Sequence, residues 1–327
     1  MKISALIPTY NRRAQVLRAI QSVLAQTVPV DEIIVVDDGS TDGTAEEIRA
    51  CYGEAVSVVR QENTGVSAAR NRAIREAHGN WLAFLDSDDE WLPSKIQRQV
   101  EALETLGSQF GLCFTDCRFE SGTGKLSSAF EEAGFVTPYA FGILEDPAEG
   151  LVGSGSPLRI QSTLVLKSLF EEISGFDEGL TLNEDYDAFF RLSFKTKFCF
   201  VSEPLVRVDR NPHRVGGLCQ LFETRNNLKY DDLRRIYAKW LSIPWIVGSN
   251  YEDSIRDKLR LLCYESAESS IRGFRVRAAL REFARLRALQ ESYASIVLNL
   301  TSRKIRKLRR DIRISLRGAT RKGIRQQ

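Results

Sequence analysis

A mainly parallel α/β sheet flanked by helices, with a C-terminal helical extension, is the fold class this 327-residue sequence predicts. Three observations predict it. Short apolar strand patterns alternate with helical ones through the first hundred residues. Those strand patterns exit into polar, acidic or glycine-containing segments, and beyond about residue 217 the pattern is helical to the end. Hydrophobic residues make up 43% of the chain, enough for a substantial core, and no apolar run reaches the length needed to cross a bilayer.

Taken in order, Lys2–Ile7 is a short apolar strand, and its break at Pro8 argues against a signal peptide. Arg13–Ala25 carries Val16, Ala19, Ile20, Val23 and Leu24 at helical spacing. Glu32–Val36 is an apolar, β-branched strand, Gly43–Cys51 is helical and Ala55–Val59 is a strand. Val66–Ala77 is a helix and Trp81–Leu85 a strand. Parallel crossovers are right-handed, so Thr9-Tyr10, Asp37-Asp38-Gly39-Ser40 and Asp86-Ser87-Asp88 gather on one rim. Open α/β sheets bind their ligands at that edge. From Phe110 the character changes: Gly111–Phe119 and Arg159–Leu166 read as strands around a Gly/Pro/Ser-rich, irregular stretch near 120–157. Glu184–Phe194 is a helix, and a polar loop from Asp209 to Arg214 closes at Gly216-Gly217.

Charge and cysteine usage narrow the function classes. The formal net charge of +3 hides an asymmetry, because residues 301–327 hold eleven Lys/Arg and one Asp while the remainder is net acidic. Six cysteines without a CxxC, with only two histidines, His78 and His213, argue against a zinc site, and the cysteines read better as buried free thiols in a reducing cytosol. The segment Phe84-Leu85-Asp86-Ser87-Asp88-Asp89 ends an apolar strand in carboxylates. In extended geometry Asp86 and Asp88 leave the same face. Two converging carboxylates without His or Cys suit Mg²⁺ or Mn²⁺, completed by substrate phosphates.

Five segments occur in a telling order: Leu6-Ile7-Pro8-Thr9-Tyr10-Asn11-Arg12, Val36-Asp37-Asp38-Gly39-Ser40-Thr41-Asp42-Gly43-Thr44, Asn63-Thr64-Gly65-Val66-Ser67-Ala68-Ala69-Arg70-Asn71, Phe84–Asp89, and Gly175-Phe176-Asp177-Glu178 with Asn183-Glu184-Asp185-Tyr186-Asp187. This set resembles the family 2 glycosyltransferases of GT-A fold over roughly the first 215 residues. The resemblance implies a glycosyltransferase domain over 1–216, with a nucleotide-binding half at about 1–105 and an acceptor half at about 106–216. The helical region 217–327, with its basic tail 301–327, lies outside it.

The resemblance also implies roles. Pro8, Thr9, Tyr10 and Arg12 would line the donor nucleotide, and Asp38 would accept a hydrogen bond from its base. A carboxylate only accepts, which selects a ring N–H as in uracil or thymine. Gly65 opens the helix carrying Arg70, which would meet the diphosphate. Asp86, Ser87 and Asp88 would form the diphosphate and metal site, with Mg²⁺ or Mn²⁺ on Asp86 and Asp88. Asp185 would be the general base and Glu184 would orient it or the acceptor, leaving Asp187 structural. Asp42 reads as a turn or cap residue, and Asp89 as a cap for the helix after Pro93 or an orienter of its neighbours. His78 reads as a helix-terminus residue and His213 as a surface loop residue, the family's usual histidine position falling on Asn211.

The function so implied is inverting transfer from a UDP- or dTDP-sugar to a hydroxyl of a glycan or lipid-linked acceptor, in bacterial cell-surface polysaccharide synthesis. A sugar-phosphate nucleotidyltransferase would need a glycine-rich loop after the first strand, which Pro8-Thr9-Tyr10-Asn11 does not supply. The remaining rival is a non-catalytic membrane- or partner-binding protein on the same scaffold. Its support is the tail, where Ile305, Leu308, Ile312 and Leu316 form one apolar stripe among basic residues. Such a helix would place a cytoplasmic protein peripherally at the inner membrane face, or pack on its own acidic body or a partner subunit. No aromatic residue interleaves the basic run, which argues against nucleic acid.

Overall fold

The computed structural model describes residues 1–120, 126–153, 155–210, 226–272 and 276–289. Two compact units emerge. The first comprises Met1–Pro147 and Gly155–Arg214, and the second holds Ala148–Ser154 and the C-terminal helices.

The first unit is built on one ten-stranded sheet. Its parallel part comprises β1 (Ile3–Thr9), β2 (Glu32–Asp37), β3 (Ser57–Arg60) and β4 (Trp81–Phe84), in the order β3-β2-β1-β4. The connecting helices are α1 (Arg13–Leu24), α2 (Thr44–Tyr52) and α3 (Val66–Glu76). Every residue of β1 and β4 is buried, the signature of strands covered on both faces. α1 buries Val16, Ala19, Ile20 and Val23 as expected, but Leu24 is exposed. At 100° per residue it has rotated past the edge of the stripe that Val16 and Val23 define.

Beyond β4 the sheet is mixed, continuing β4-β9-β6-β10-β5. It uses β5 (Glu90–Trp91), β6 (Phe110–Glu120), β9 (Thr163–Leu166), which runs into the short helix α7 (Lys167–Glu172), and β10 (Lys197–Asp209). β9 runs antiparallel to both β4 and β6, while β6 and β10 are parallel. The 13-residue β10 has no clear sequence signature because Glu203 and Pro204 interrupt it. The register with β6 shifts on either side of Pro204, which has no N–H to give a ladder. The 120–157 stretch is likewise not simply irregular. It contains β7 (Leu126–Ser128), α5 (Ala129–Ala133), β8 (Phe141–Leu144) and α6 (Pro147–Val152). A capping box between Ser128 and Glu131 starts α5, a signal present in the sequence.

Four of the cysteines, Cys113, Cys117, Cys199 and Cys263, are buried free thiols; Cys51 is exposed on α2, against expectation, and Cys219 lies outside the described residues. The second unit's described helices are α9 (Asn226–Leu241), α10 (Glu252–Arg272) and α11 (Val276–Ala288). They bury Ile236, Trp240, Ile255, Cys263, Ala267 and Leu286. No helix among the described residues is long and apolar enough to cross a membrane. The tail 301–327, His213 and the rest of its loop lie outside the described residues.

α4 (Lys95–Leu106) adds an unusual core group. Lys95 is fully buried, its ammonium 4.2 Å from the centroid of the Trp91 ring and donating to Gln99 Oε1 at 2.8 Å. Gln99 donates in turn to the carbonyls of Cys113 and Ser162. Burial pulls the Lys95 pKa down to about 7. The unfolded chain, with a lysine near its ordinary value of about 10.4, then holds more protons than the folded one between these two limits. Stability should therefore rise with pH across that window, by at most about 1.4 kcal/mol per pH unit from this group. Lys95→Met, which fits the same space, should flatten the slope in urea unfolding between pH 7.5 and 9.5. An unchanged slope would show that Lys95 is not the group responsible.

Candidate active site

The exits of β1, β2 and β4 meet on one rim, and loop-to-loop hydrogen bonds fix them there. Asn11, in the left-handed region at φ 50°, receives the Thr41 N–H on its side-chain oxygen, and its own N–H donates to Ser40 Oγ. Gly39 takes φ 83°, and a Cβ there would lie 2.9 Å from the Asn63 nitrogen. Only glycine lets the β2 exit approach the loop before α3 so closely. Asp38 spans the same gap, accepting from Gln61 Nε2 at 2.8 Å and from the Thr64 and Gly65 N–H groups at 3.0 and 2.9 Å. Asp42 accepts from the Thr44 and Arg13 N–H groups, the turn role expected of it. Pro8 and Thr9 are buried, Thr9 Oγ1 has no hydrogen-bond partner, and Tyr10 is exposed beside them.

The acidic segment is not extended. β4 ends at Phe84, and Asp86–Asp89 closes a turn with the Asp89 N–H donating to the Asp86 carbonyl at 3.0 Å. The same-face argument for Asp86 and Asp88 therefore does not apply, and a different device separates them. Asp88 pairs with Arg12 at 2.9 Å, and the same Nη1 lies 3.4 Å from Ser87 Oγ. Asp86 pairs with Arg70 at 2.6 Å. Asp89 is no helix cap. It is buried, accepting from Gln161 Nε2 at 2.8 Å and from the Asp209 N–H at 3.2 Å.

Arg70 joins this turn to the segment that begins at Glu184. Its guanidinium is 2% exposed and donates from Nη2 to Asp86 and from Nη1 to Glu184 at 2.5 Å, with the Phe176 ring 5.5 Å below. The resemblance sends Arg70 to a diphosphate; the structure holds it between two carboxylates, so direct contact would require one of them to let go. The next residue, Asn71, fixes the Gly175–Glu178 segment. It donates to the Phe176 carbonyl and to Glu178, and receives the Phe176 N–H. Gly175, at φ 72°, would bring a Cβ to 2.5 Å from Asn71 Oδ1.

α8 (Glu184–Ser193) presents three acids in its first turn, where the helix dipole favours negative charge. Glu184 is committed to Arg70, and burial pushes its pKa up to about 7 against that partner. Asp187 is fully buried and paired with Arg191 at 2.8 Å, the structural role expected. Asp185 is half-buried, accepts the neighbouring Tyr186 N–H, and has no ion-pair partner within 4 Å among the described residues. Its pKa is raised by burial, and the positive charges of Arg70 and Arg159 partly offset that.

Sequence reasoning gave no role to Asn71, which closes one of the five segments, and missed Gln161 and Arg159 as parts of this site. The one available signal was the run Gln161-Ser162-Thr163, three polar residues in an apolar strand pattern, all buried in the structure.

Among the described residues no group of three metal-ligating side chains is assembled. Asp86 and Asp88 nevertheless suit a hard divalent cation. They offer oxygen donors alone at the rim; burial first, and then the charges of Asp88 and Asp86, push the Asp89 pKa well above its ordinary value. That excess of negative charge is what a cation would relieve.

This α/β sheet, with the acidic first turn of α8 tied through Arg70 to the turn after β4, is the GT-A glycosyltransferase fold. The solved structure of Staphylococcus aureus TarS 1-349 in complex with UDP-GlcNAc shares it, with a TM-score of 0.62 and 18% identity over 99% of this chain and 92% of that one. The mannosyltransferase PcManGT from Pyrobaculum calidifontis, in complex with GDP-Man and Mn²⁺, gives a TM-score of 0.55 at 16% identity, covering 98% and 86%. The chain belongs to glycosyltransferase family 2: the description Glycosyl transferase family 2 matches residues 4–153. An uncharacterized glycosyltransferase of Rickettsia prowazekii is 34% identical over 258 residues, 76% of each chain. One from Rickettsia typhi is 34% identical over 209 residues, and the match covers 63% of its length.

Replacing Arg70 by alanine should leave Asp86 and Glu184 facing each other without a cation, one of them buried. Breaking such a pair commonly costs about 3–5 kcal/mol. Chemical unfolding of Arg70→Ala should show a loss of that order, and a loss below about 1 kcal/mol would mean the bridge does not hold the two halves together.

Proposed function

We propose that this protein is an inverting glycosyltransferase. It would move a sugar from a UDP- or dTDP-sugar to a hydroxyl of a glycan or lipid-linked acceptor. The observation that carries this reading is Asp185, the acid of the first turn of α8 that has no ion pair among the described residues, joined through its neighbour Glu184 and Arg70 to the acidic turn at Asp86.

Asp38 has one carboxylate oxygen bonded only to the Gly65 N–H, so capacity remains to accept a base ring N–H. The exposed Tyr10 is available to stack on that base, and Thr9 to contact the nucleoside. Arg12 and Arg70 bring positive charge to the diphosphate side, where Ser87 lies between Asp86 and Asp88. Mg²⁺ or Mn²⁺ held by Asp86 and Asp88 would supply Lewis-acid neutralisation of the departing diphosphate. Asp185 takes the proton from the acceptor hydroxyl as its oxygen bonds to the anomeric carbon. The bond from that carbon to the diphosphate oxygen breaks on the opposite side, and the anomeric centre inverts. Glu184, fixed by Arg70, keeps Asp185 in place. The basic tail supports a peripheral contact with an anionic membrane surface, where lipid-linked acceptors for cell-surface polysaccharide are presented.

Release of nucleotide diphosphate from UDP- and dTDP-sugars tests the reading. Turnover should require added Mg²⁺ or Mn²⁺ and stop in excess EDTA. Asp185→Asn keeps size and loses basicity, so turnover should fall by about 10²–10⁴ with donor affinity unchanged. Normal turnover in that variant would remove Asp185 from the role. For the tail, the intact protein should co-sediment with anionic liposomes at low salt and release at high salt; no sedimentation would refute the membrane contact.

A further inference from the structure

Arg159 is part of the same rim but takes no part in the chemistry described above. Its backbone is held firmly. The Ser162 N–H and Oγ both donate to the Arg159 carbonyl, at 3.0 and 2.7 Å. Two residues on, Gln161 bonds Asp89, and its carbonyl accepts from Trp91 Nε1 at 3.0 Å. The segment is thereby fastened to the acidic turn.

The side chain is oriented as well. Nη1 donates to the carbonyls of Ser156 and Leu158, at 2.9 and 2.6 Å. The guanidinium carbon lies 5.6 Å from the centroid of the Phe119 ring, which Arg210 also covers at 3.3 Å. Three neighbouring guanidinium groups each have a carboxylate: Arg12 has Asp88, Arg70 has Asp86 and Glu184, and Arg210 has Glu132. Among the described residues Arg159 has none within 4 Å. With Nη1 committed to carbonyls, its Nε and Nη2 edge remains, and that edge is the one that matches a carboxylate or phosphate with two parallel hydrogen bonds. Its charge is felt at Asp185, half-buried at the same rim. Arg159 therefore belongs to the base side of the site.

We propose that Arg159 binds an anionic group on the acceptor, a phosphate ester or a carboxylate close to the hydroxyl that Asp185 deprotonates. This rests on the glycosyltransferase reading and on Asp185 as its base. It makes Arg159 a specificity-determining residue, selecting charged acceptors over neutral ones.

The test uses the full chain saturated with UDP and Mg²⁺, so that the donor diphosphate position is filled. Inorganic phosphate, methyl glucuronide and neutral methyl glucoside are then titrated by calorimetry into wild type, Arg159→Gln and Arg159→Lys. Wild type should bind at least one of the two anions. Arg159→Gln should bind it about 10- to 100-fold more weakly, as expected for loss of charged hydrogen bonds. Arg159→Lys should recover part of the affinity, and methyl glucoside should not distinguish the three. Phosphate alone bound points to a phosphate-ester acceptor, and glucuronide alone to a uronate. Equal anion binding by wild type and Arg159→Gln, or none by wild type, overturns the proposal while UDP binding keeps the donor reading intact. Failure of wild type to bind either UDP or dTDP overturns both. Should Arg159→Gln not fold, the comparison of wild type with Arg159→Lys still decides, since equal affinities would show that the guanidinium fork is not used.

Discussion

The site depends on one buried guanidinium. Arg70 is carried by α3, beneath the rim, and reaches Asp86 on the β4 exit and Glu184 on α8, a residue 114 positions away. A buried positive charge is tolerated only when paired and hydrogen-bonded, and here it meets two carboxylates at once. Two negative charges share one positive charge, so burial prevails at Glu184 and its pKa rises to about 7. The same geometry sets the position of Asp185, because α8 cannot shift without pulling Glu184 away from Arg70. Asn71, one residue along α3, holds the segment leading into α8 by three hydrogen bonds. Consecutive residues of one helix thus locate both the acidic turn and the start of α8.

The rim loops are ordered by a second set of contacts, made largely of backbone N–H groups. Asp38 collects two of them from Thr64 and Gly65, Asn11 receives one from Thr41, and Ser40 receives one from Asn11. Each contact satisfies a donor that a turn would otherwise leave unpaired. They also require backbone conformations that most residues disfavour, at Asn11 and Gly39 on this rim and at Asn183 before α8. The polar motifs of this sequence therefore act first as fasteners between loops. The groups left over after that fastening, Tyr10, one oxygen of Asp38, and Asp185, are the ones available to a substrate.

Much of this was legible in the sequence, and the reason is local. Parallel strands buried on both faces are continuous apolar runs, so β1, β2 and β4 and their acidic exits can be read one at a time. The motif order then carried the family. What stayed hidden depends on partners far away in the chain. The turn at Asp86–Asp89 looks extended until the Asp89 N–H finds the Asp86 carbonyl, and Asp89 looks like a cap until Gln161, 72 residues on, takes its carboxylate. β10 was obscured by Pro204, whose missing N–H the register shift absorbs. Periodicity reports how one element is buried; it does not report which distant side chain completes it.

The first turn of α8 shows how a helix sorts like residues into unlike roles. Glu184 and Asp187 are three positions apart and so lie on one face, the buried one, where each must have a guanidinium: Arg70 for the first, Arg191 for the second. Asp185 is turned about 100° from Glu184 and emerges half-buried at the rim. An acid clamped in an ion pair is a poor acceptor of a further proton, because accepting one means giving up the pair. Asp185 has no such pair to lose. Its environment raises its pKa by partial burial, restrained by the more distant charges of Arg70 and Arg159, which shifts a carboxylate toward the range useful for general-base work without neutralising it. The flanking ion pairs therefore have a definite effect on the middle acid: they fix the helix by its two buried carboxylates so that the third can remain uncommitted.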